Sequence, residues 1–107
     1  MIRVQFSSAA ADDIREIEAY TVSQFGSEQA LNFLDKLQSS IDTIAAMPQM
    51  GSLRPALDPP SHQFRYHAIL KSFVVVYDVT DNGIRVARVL HGARNLLNEL
   101  QQNSGEE

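Results

Sequence analysis

Cysteine is absent from the 107 residues. That excludes disulfides and any thiolate metal site. Long apolar runs are absent too. The longest, Phe73-Val74-Val75-Val76-Tyr77, is far too short to cross a bilayer. The opening residues MIRVQFSS lack the apolar stretch of a signal peptide. Together these absences predict a cytoplasmic protein without membrane contact. An excess of positive charge is also missing: the net charge is −4 and the pI about 5.2. A chain that grips nucleic acid over many phosphates usually carries the opposite balance, so sequence-specific nucleic-acid binding is not expected. No repeat and no linker divides the chain, which predicts one domain over residues 1–100. Residues 101–107, polar and ending Gly-Glu-Glu, read as a disordered tail.

What is present is an ordinary globular composition, 44% hydrophobic and 21% charged. The charge is unevenly spread. From Arg3 to Ile44 the acids are Asp12, Asp13, Glu16, Glu18, Glu28, Asp35 and Asp42, against Arg3, Arg15 and Lys36. From Arg54 to Arg94 the bases Arg54, Arg65, Lys71, Arg85, Arg88 and Arg94 outnumber Asp58, Asp78 and Asp81.

The patterning gives the element order. Ile2, Val4 and Phe6 alternate with Arg3 and Gln5, as in a half-buried strand. Ser7 or Ser8 can cap a helix carrying Ala10, Ile14 and Ile17 at helical spacing, with Tyr20 or Phe25 extending the stripe and Asp12 and Asp13 near its positive end. Gly26 is placed to stop it, and Ser27 to cap a second helix. That helix has a nearly ideal single apolar face in Ala30, Phe33, Leu34, Leu37, Ile41, Ile44 and Ala45, and Pro48 ends it. So short a joint makes the two helices a hairpin. The stretch Pro48–Pro60 holds all four prolines and is expected to pack on the surface. Gln63–Leu70 reads as extended, with Phe64, Tyr66 and Ala68 alternating against Arg65 and His67. Phe73–Arg94 then reads as two strands rich in β-branched residues joined at Asn82-Gly83, both of which tolerate the positive φ of a type I′ turn. The prediction is an α+β two-layer domain: an N-terminal strand, a helical hairpin, then a three-stranded antiparallel meander.

Candidate chemistry is thin. His62 and His67 fall on opposite faces of an extended segment and no companion ligand motif accompanies them, so neither a metal nor a cofactor is expected. Asp12 and Asp13 are neighbours on a helix and do not face each other, which argues against an acid–base pair. Arg65, His67, His91 and Arg94, with Arg54 in the loop, make a better set. On adjacent strands they can gather at one sheet end, to bind an anion or a partner's carboxylates or to serve phosphodiester chemistry. The plainer reading is a solvated sheet face.

The chain resembles the RelE/ParE superfamily of toxins from type II toxin–antitoxin systems, and the ParE branch more closely. The resemblance runs from Ile2 to about Leu97. It rests on the helical hairpin, the loop Met47-Pro48-Gln49-Met50-Gly51-Ser52-Leu53-Arg54, Phe64-Arg65, the strand Val74-Val75-Val76-Tyr77 and the ending Val89-Leu90-His91-Gly92-Ala93-Arg94-Asn95. RelE-like members cut mRNA on the ribosome with cations spread over the sheet and a C-terminal tyrosine; ParE-like members poison DNA gyrase. In an ungapped comparison the RelE lysines fall on Arg65 and His67, the third-strand arginine on Val74, the last-strand arginine on Arg94 and the tyrosine on Leu100. Valine cannot stabilise a phosphorane and leucine cannot move a proton.

The resemblance therefore implies a ParE-like gyrase poison without bond-breaking of its own, in a hetero-oligomer with a cognate antitoxin. Arg65, His91, Arg94, Leu96 and Leu97 would meet the target. Ile14, Ile17, Phe33 and Leu37 would receive the antitoxin, by helix-in-groove packing and strand addition. Two alternatives stay open: a ribosome-dependent ribonuclease using Arg65, His67 and Arg94, with His67 or His91 as base, and a decayed, non-toxic antitoxin-binding module.

Overall fold

A computed structural model of the chain describes residues 3–70 and 72–91. Strand β1 (Arg3–Phe6) is followed by helices α1 (Ser8–Phe25) and α2 (Ser27–Ala46), a short strand β2 (Ser52–Leu53), and strands β3 (Arg65–Ile69), β4 (Phe73–Thr80) and β5 (Gly83–His91). Single 3₁₀ turns at Pro48–Met50 and Pro55–Leu57 flank β2. The sheet order is β1-β5-β4-β3-β2. The antiparallel meander β3-β4-β5 is present as expected. Two details add to it: β1 lies parallel to β5, and β2 extends the opposite edge antiparallel to β3.

Both helices cover one face of the sheet. Phe33, Leu37, Ile41 and Ile44 of α2 and Ala10 of α1 are buried against Ile69, Val75, Tyr77, Ile84, Val86 and Val89, and Ile14, Ile17 and Val4 pack around them. A fully buried side chain of this kind contributes roughly 1.5–3 kcal/mol, so this layer dominates the fold. Phe6 departs from the expected strand pattern and is 45% exposed at the edge.

Ser7 caps α1: its Oγ accepts from Ala10 N–H at 3.0 Å. The same hydroxyl donates to Ala87 O at 2.7 Å, which ties the helix start to β5. Gly26, at φ 92°, ends α1 in a conformation that favours glycine. It also occupies the cap position of α2, so Ser27 is that helix's first residue rather than its cap.

The β4–β5 turn corrects another expectation. Thr80 pairs with Gly83, so the two connecting residues are Asp81 and Asn82. Among the described residues only Gly26 and Leu70 have positive φ, so this is not the type I′ turn expected at Asn82-Gly83. Gly83 is required for another reason. A Cβ there would stand 1.8 Å from Arg3 O, where the start of β1 pairs beside the start of β5.

Asp13 has a different job from the one its helix position suggested. The first turn of α1 holds no acid. Asp12 pairs with Arg15 on the exposed surface. Asp13 points to the edge of β5 beyond the end of β1, which pairs no further than Val86. There its carboxylate accepts from Arg88 Nε at 2.7 Å and Nη2 at 2.8 Å, and from Val89 N–H at 3.0 Å. Each side chain of the pair is only 11% exposed. A bulge at Ala87, between the pairs Tyr77–Val86 and Val76–Arg88, turns Val89 back into the helix-side core.

The other sheet face carries a smaller apolar layer, Tyr66, Val76, Ala87 and Leu90, closed by Leu57, Phe64 and Val74. Polar ties hold the covering loop. Asp58 Oδ1 accepts from Tyr66 Oη at 2.7 Å and from Phe64 N–H at 3.1 Å. His62 Nε2 lies 2.6 Å from Asp78 Oδ2. Burial, and then the Asp58 carboxylate, push the Tyr66 phenol well above its ordinary range. Burial also raises Tyr77, partly offset by the Gly51 N–H and by Arg65. An unfolded tyrosine releases its proton near pH ~10, whereas these two keep theirs when folded. The stability they contribute is complete below that pH and is lost as pH rises beyond it. The melting temperature is expected to fall steeply between pH 10 and 11 and less steeply in Tyr66→Phe. Equal slopes in the two proteins would contradict this.

Candidate functional site

The loop after α2 is fastened from below. Tyr77 is fully buried, and its hydroxyl donates to Pro48 O at 2.7 Å and accepts from Gly51 N–H at 2.9 Å. Gly51 has no room for a side chain: a Cβ would stand 2.5 Å from that hydroxyl. Arg65 Nη1 donates to Gln49 O at 3.1 Å and Gly51 O at 2.8 Å. The guanidinium expected to meet a target is therefore also a bracket for the loop.

Cross-strand register places the rest of the basic set. Arg65 is opposite Tyr77, His67 opposite Val75 and Ile69 opposite Phe73, so Arg65 and His67 share the helix-side face. They do not gather at the His91 end as expected. β4 separates β3 from β5, and His91 is level with Phe73 and Ile69. Arg65 is four residues farther along β3, or about 13 Å at strand rise. Val74 is opposite Ala68 and belongs to the other face. A cation at that position would not have joined Arg65 and His67. Their β4 neighbours are the buried Val75 and Tyr77.

At the His91 end the helices and the sheet diverge into a groove of about 1180 Å³. Its walls are largely apolar: Ile17, Tyr20 and Phe25 of α1, Phe33 of α2, Phe73 of β4 and Leu70 of the turn before it. Glu16, Lys36 and His91 supply the charge-bearing groups. Phe73 stacks on His91 with ring centroids 4.8 Å apart and meets Phe33 at 5.0 Å. Tyr20 and Phe25 are 58% and 67% exposed, a large apolar surface left uncovered by the chain's own core. Leu70 adopts φ 51°, a left-handed conformation that disfavours a branched side chain.

Of the four residues expected to receive an antitoxin, Ile17 and Phe33 line this groove. Ile14 and Leu37 pack into the core instead, Leu37 being 4% exposed, because their helical positions face the sheet. Arg94, Leu96, Leu97 and the expected tail at 101–107 lie outside the described residues. Tyr20 and Phe25 were legible as extensions of the α1 stripe. Leu70 carried no sequence signal, since its exposure comes from the turn. Among the described residues no group of three or more His, Cys, Asp or Glu is placed to hold a metal ion, and no helix is long and apolar enough to cross a membrane. The arrangement suits holding an apolar polypeptide segment.

The sequence model of a family described as "ParE toxin of type II toxin-antitoxin system, parDE" matches residues 4–96. The chain belongs to the ParE toxin family. It is 34% identical over 90 residues to Toxin ParE1 of Mycobacterium tuberculosis, in strains CDC 1551 / Oshkosh and ATCC 25618 / H37Rv, covering 83% of this chain and 88% of the relative. Its fold is similar to a solved structure of the chromosomal ParDE TA system from P. aeruginosa, with a TM-score of 0.70 and 20% identity over 86% of this chain and 97% of that one. ParE membership accounts for the helical hairpin laid on a mainly antiparallel sheet. It fits the P-x-x-G-x-x-R loop, whose glycine and proline are the points that Tyr77 grips.

Proposed function

We propose that this ParE-family toxin acts by binding rather than by cutting, that its target is DNA gyrase, and that a cognate antitoxin neutralises it. The observation that carries this reading is the helix-side face around Arg65. Arg65 is engaged with two loop carbonyls, and its neighbours across β4 are buried apolar or hydrogen-bonded groups. Among the described residues His67 has no further cation on its β4 neighbours of the kind that phosphodiester cleavage asks for. Family membership supports gyrase as the target. The groove supports the antitoxin part: Ile17, Tyr20, Phe25 and Phe33 offer a seat for an apolar segment.

Gyrase supercoiling measured with and without the purified chain tests the target. Supercoiling is expected to stop with cleaved DNA accumulating, while mRNA on translating ribosomes stays whole. Cleavage of ribosome-bound message with gyrase unaffected would replace this reading with the ribonuclease one.

A further inference from the structure

The loop from Met47 to Arg54 combines a fixed backbone with uncovered apolar side chains. Among the described residues, the side chains that tie it down reach its main chain: Tyr77 Oη to Pro48 O and Gly51 N–H, and Arg65 Nη1 to Gln49 O and Gly51 O. Only the glycine is inside. Met47, Met50 and Leu53 are 59%, 37% and 47% exposed. A loop braced for the sake of the fold turns such side chains inward, because burying them is what stabilises it. Here the order is reversed. The scaffold fixes the backbone, and the apolar groups stay in water.

These side chains form one patch. Met50 N–H donates to Met47 O at 3.0 Å, the i to i+3 bond of a 3₁₀ turn, which keeps the two methionines close together. Leu53 is opposite Arg65 in the β2–β3 register, on the flank of the same turn. Arg54 follows, exposed and without an ion pair among the described residues. No acid occurs from Met47 to Leu57, so the patch is apolar and cationic on an otherwise acidic protein. Methionine adapts to irregular protein surfaces. A backbone already fixed lowers the entropy cost of binding.

We propose that this loop is the surface that engages the toxin's target, with Met47, Met50 and Leu53 entering an apolar socket on a protein that sets a carboxylate against Arg54. The inference rests on the reading that the chain acts by binding. It places the target at the opposite end of β3 from the groove.

Growth arrest after induction in a bacterium, scored as surviving colonies, tests the loop whatever the target is. Arg54→Glu and the pair Met50→Ser with Leu53→Ser are expected to raise survival at least tenfold and to weaken gyrase inhibition equally. Arg54→Lys and the distant exposed control Val79→Ser are expected to arrest growth like the parent. Unchanged melting temperatures would exclude unfolding as the cause. Loop variants that arrest growth like the parent overturn the inference. So do variants that still arrest growth but escape the co-expressed antitoxin, which would make the loop the antitoxin's site. Growth arrest with gyrase untouched would remove gyrase as the target while the loop is still read from survival.

Discussion

Asp13→Ala is expected to cost about 3–5 kcal/mol of folding stability, read as a fall in the urea midpoint at unchanged slope. The change takes from the Arg88 guanidinium the carboxylate that faces it. Arg88 and Asp13 are each 11% exposed, and two charge-assisted bonds join them. Removing the carboxylate leaves a positive charge in a water-poor place, and it also removes the acceptor for Val89 N–H at an edge that β1 no longer covers. Replacing both partners, in Asp13→Ala with Arg88→Met, is expected to recover most of the loss, because no buried charge then remains. Asp12→Ala is the internal control. Its pair with Arg15 is exposed, and such pairs contribute about 0–1 kcal/mol. Equal losses in Asp12→Ala and Asp13→Ala would remove the edge-capping role.

That pair also shows where sequence reading reaches its limit. The two helices were legible because Ala30, Phe33, Leu37, Ile41 and Ile44 recur at helical spacing and all turn out buried. The meander was legible from β-branched runs. Both signals are local, carried by residues close in the chain. Asp13 and Arg88 are 75 positions apart, and nothing near either of them announces the other. A helix-dipole role for Asp13 was the natural local reading, and tertiary contact overrode it. Gly83 follows the same logic. An Asn-Gly pair signals a turn, but the turn falls one residue earlier, and the glycine is there to admit Arg3 of β1.

The candidate site divides in the same way. That Arg65 and His67 share a face follows from strand alternation and is seen. Their distance from His91 depends on β4 lying between β3 and β5, and on a register that the sequence does not state. The groove depends on how far two helices diverge from a sheet. Its exposed Tyr20 and Phe25 looked like the continuation of a core stripe, because period alone does not tell a covered face from an open one.

Gly51→Ala carries the second large expected effect. The added Cβ would stand 2.5 Å from the Tyr77 hydroxyl and 2.8 Å from Cε1 of its ring, contacts that a buried tyrosine in a full core cannot relieve by swinging away. Overpacking of this kind costs about 1–3 kcal/mol. Losing the hydroxyl's bonds to Pro48 O and Gly51 N–H adds about 1–3 kcal/mol for groups left unsatisfied. Tyr77→Phe alone is expected to show only that second loss. In the double variant the hydroxyl is gone, so the methyl group's worst clash is gone with it. The double loss should then fall below the sum of the single losses by more than about 0.5 kcal/mol, the scale at which neighbouring sites couple. Strict additivity would mean that the loop moves aside and that Tyr77 does not fix it. In that case the rigid presentation of Met47, Met50 and Leu53 would lose its physical basis, and the fate of the loop in Gly51→Ala bears directly on how the toxin meets its target.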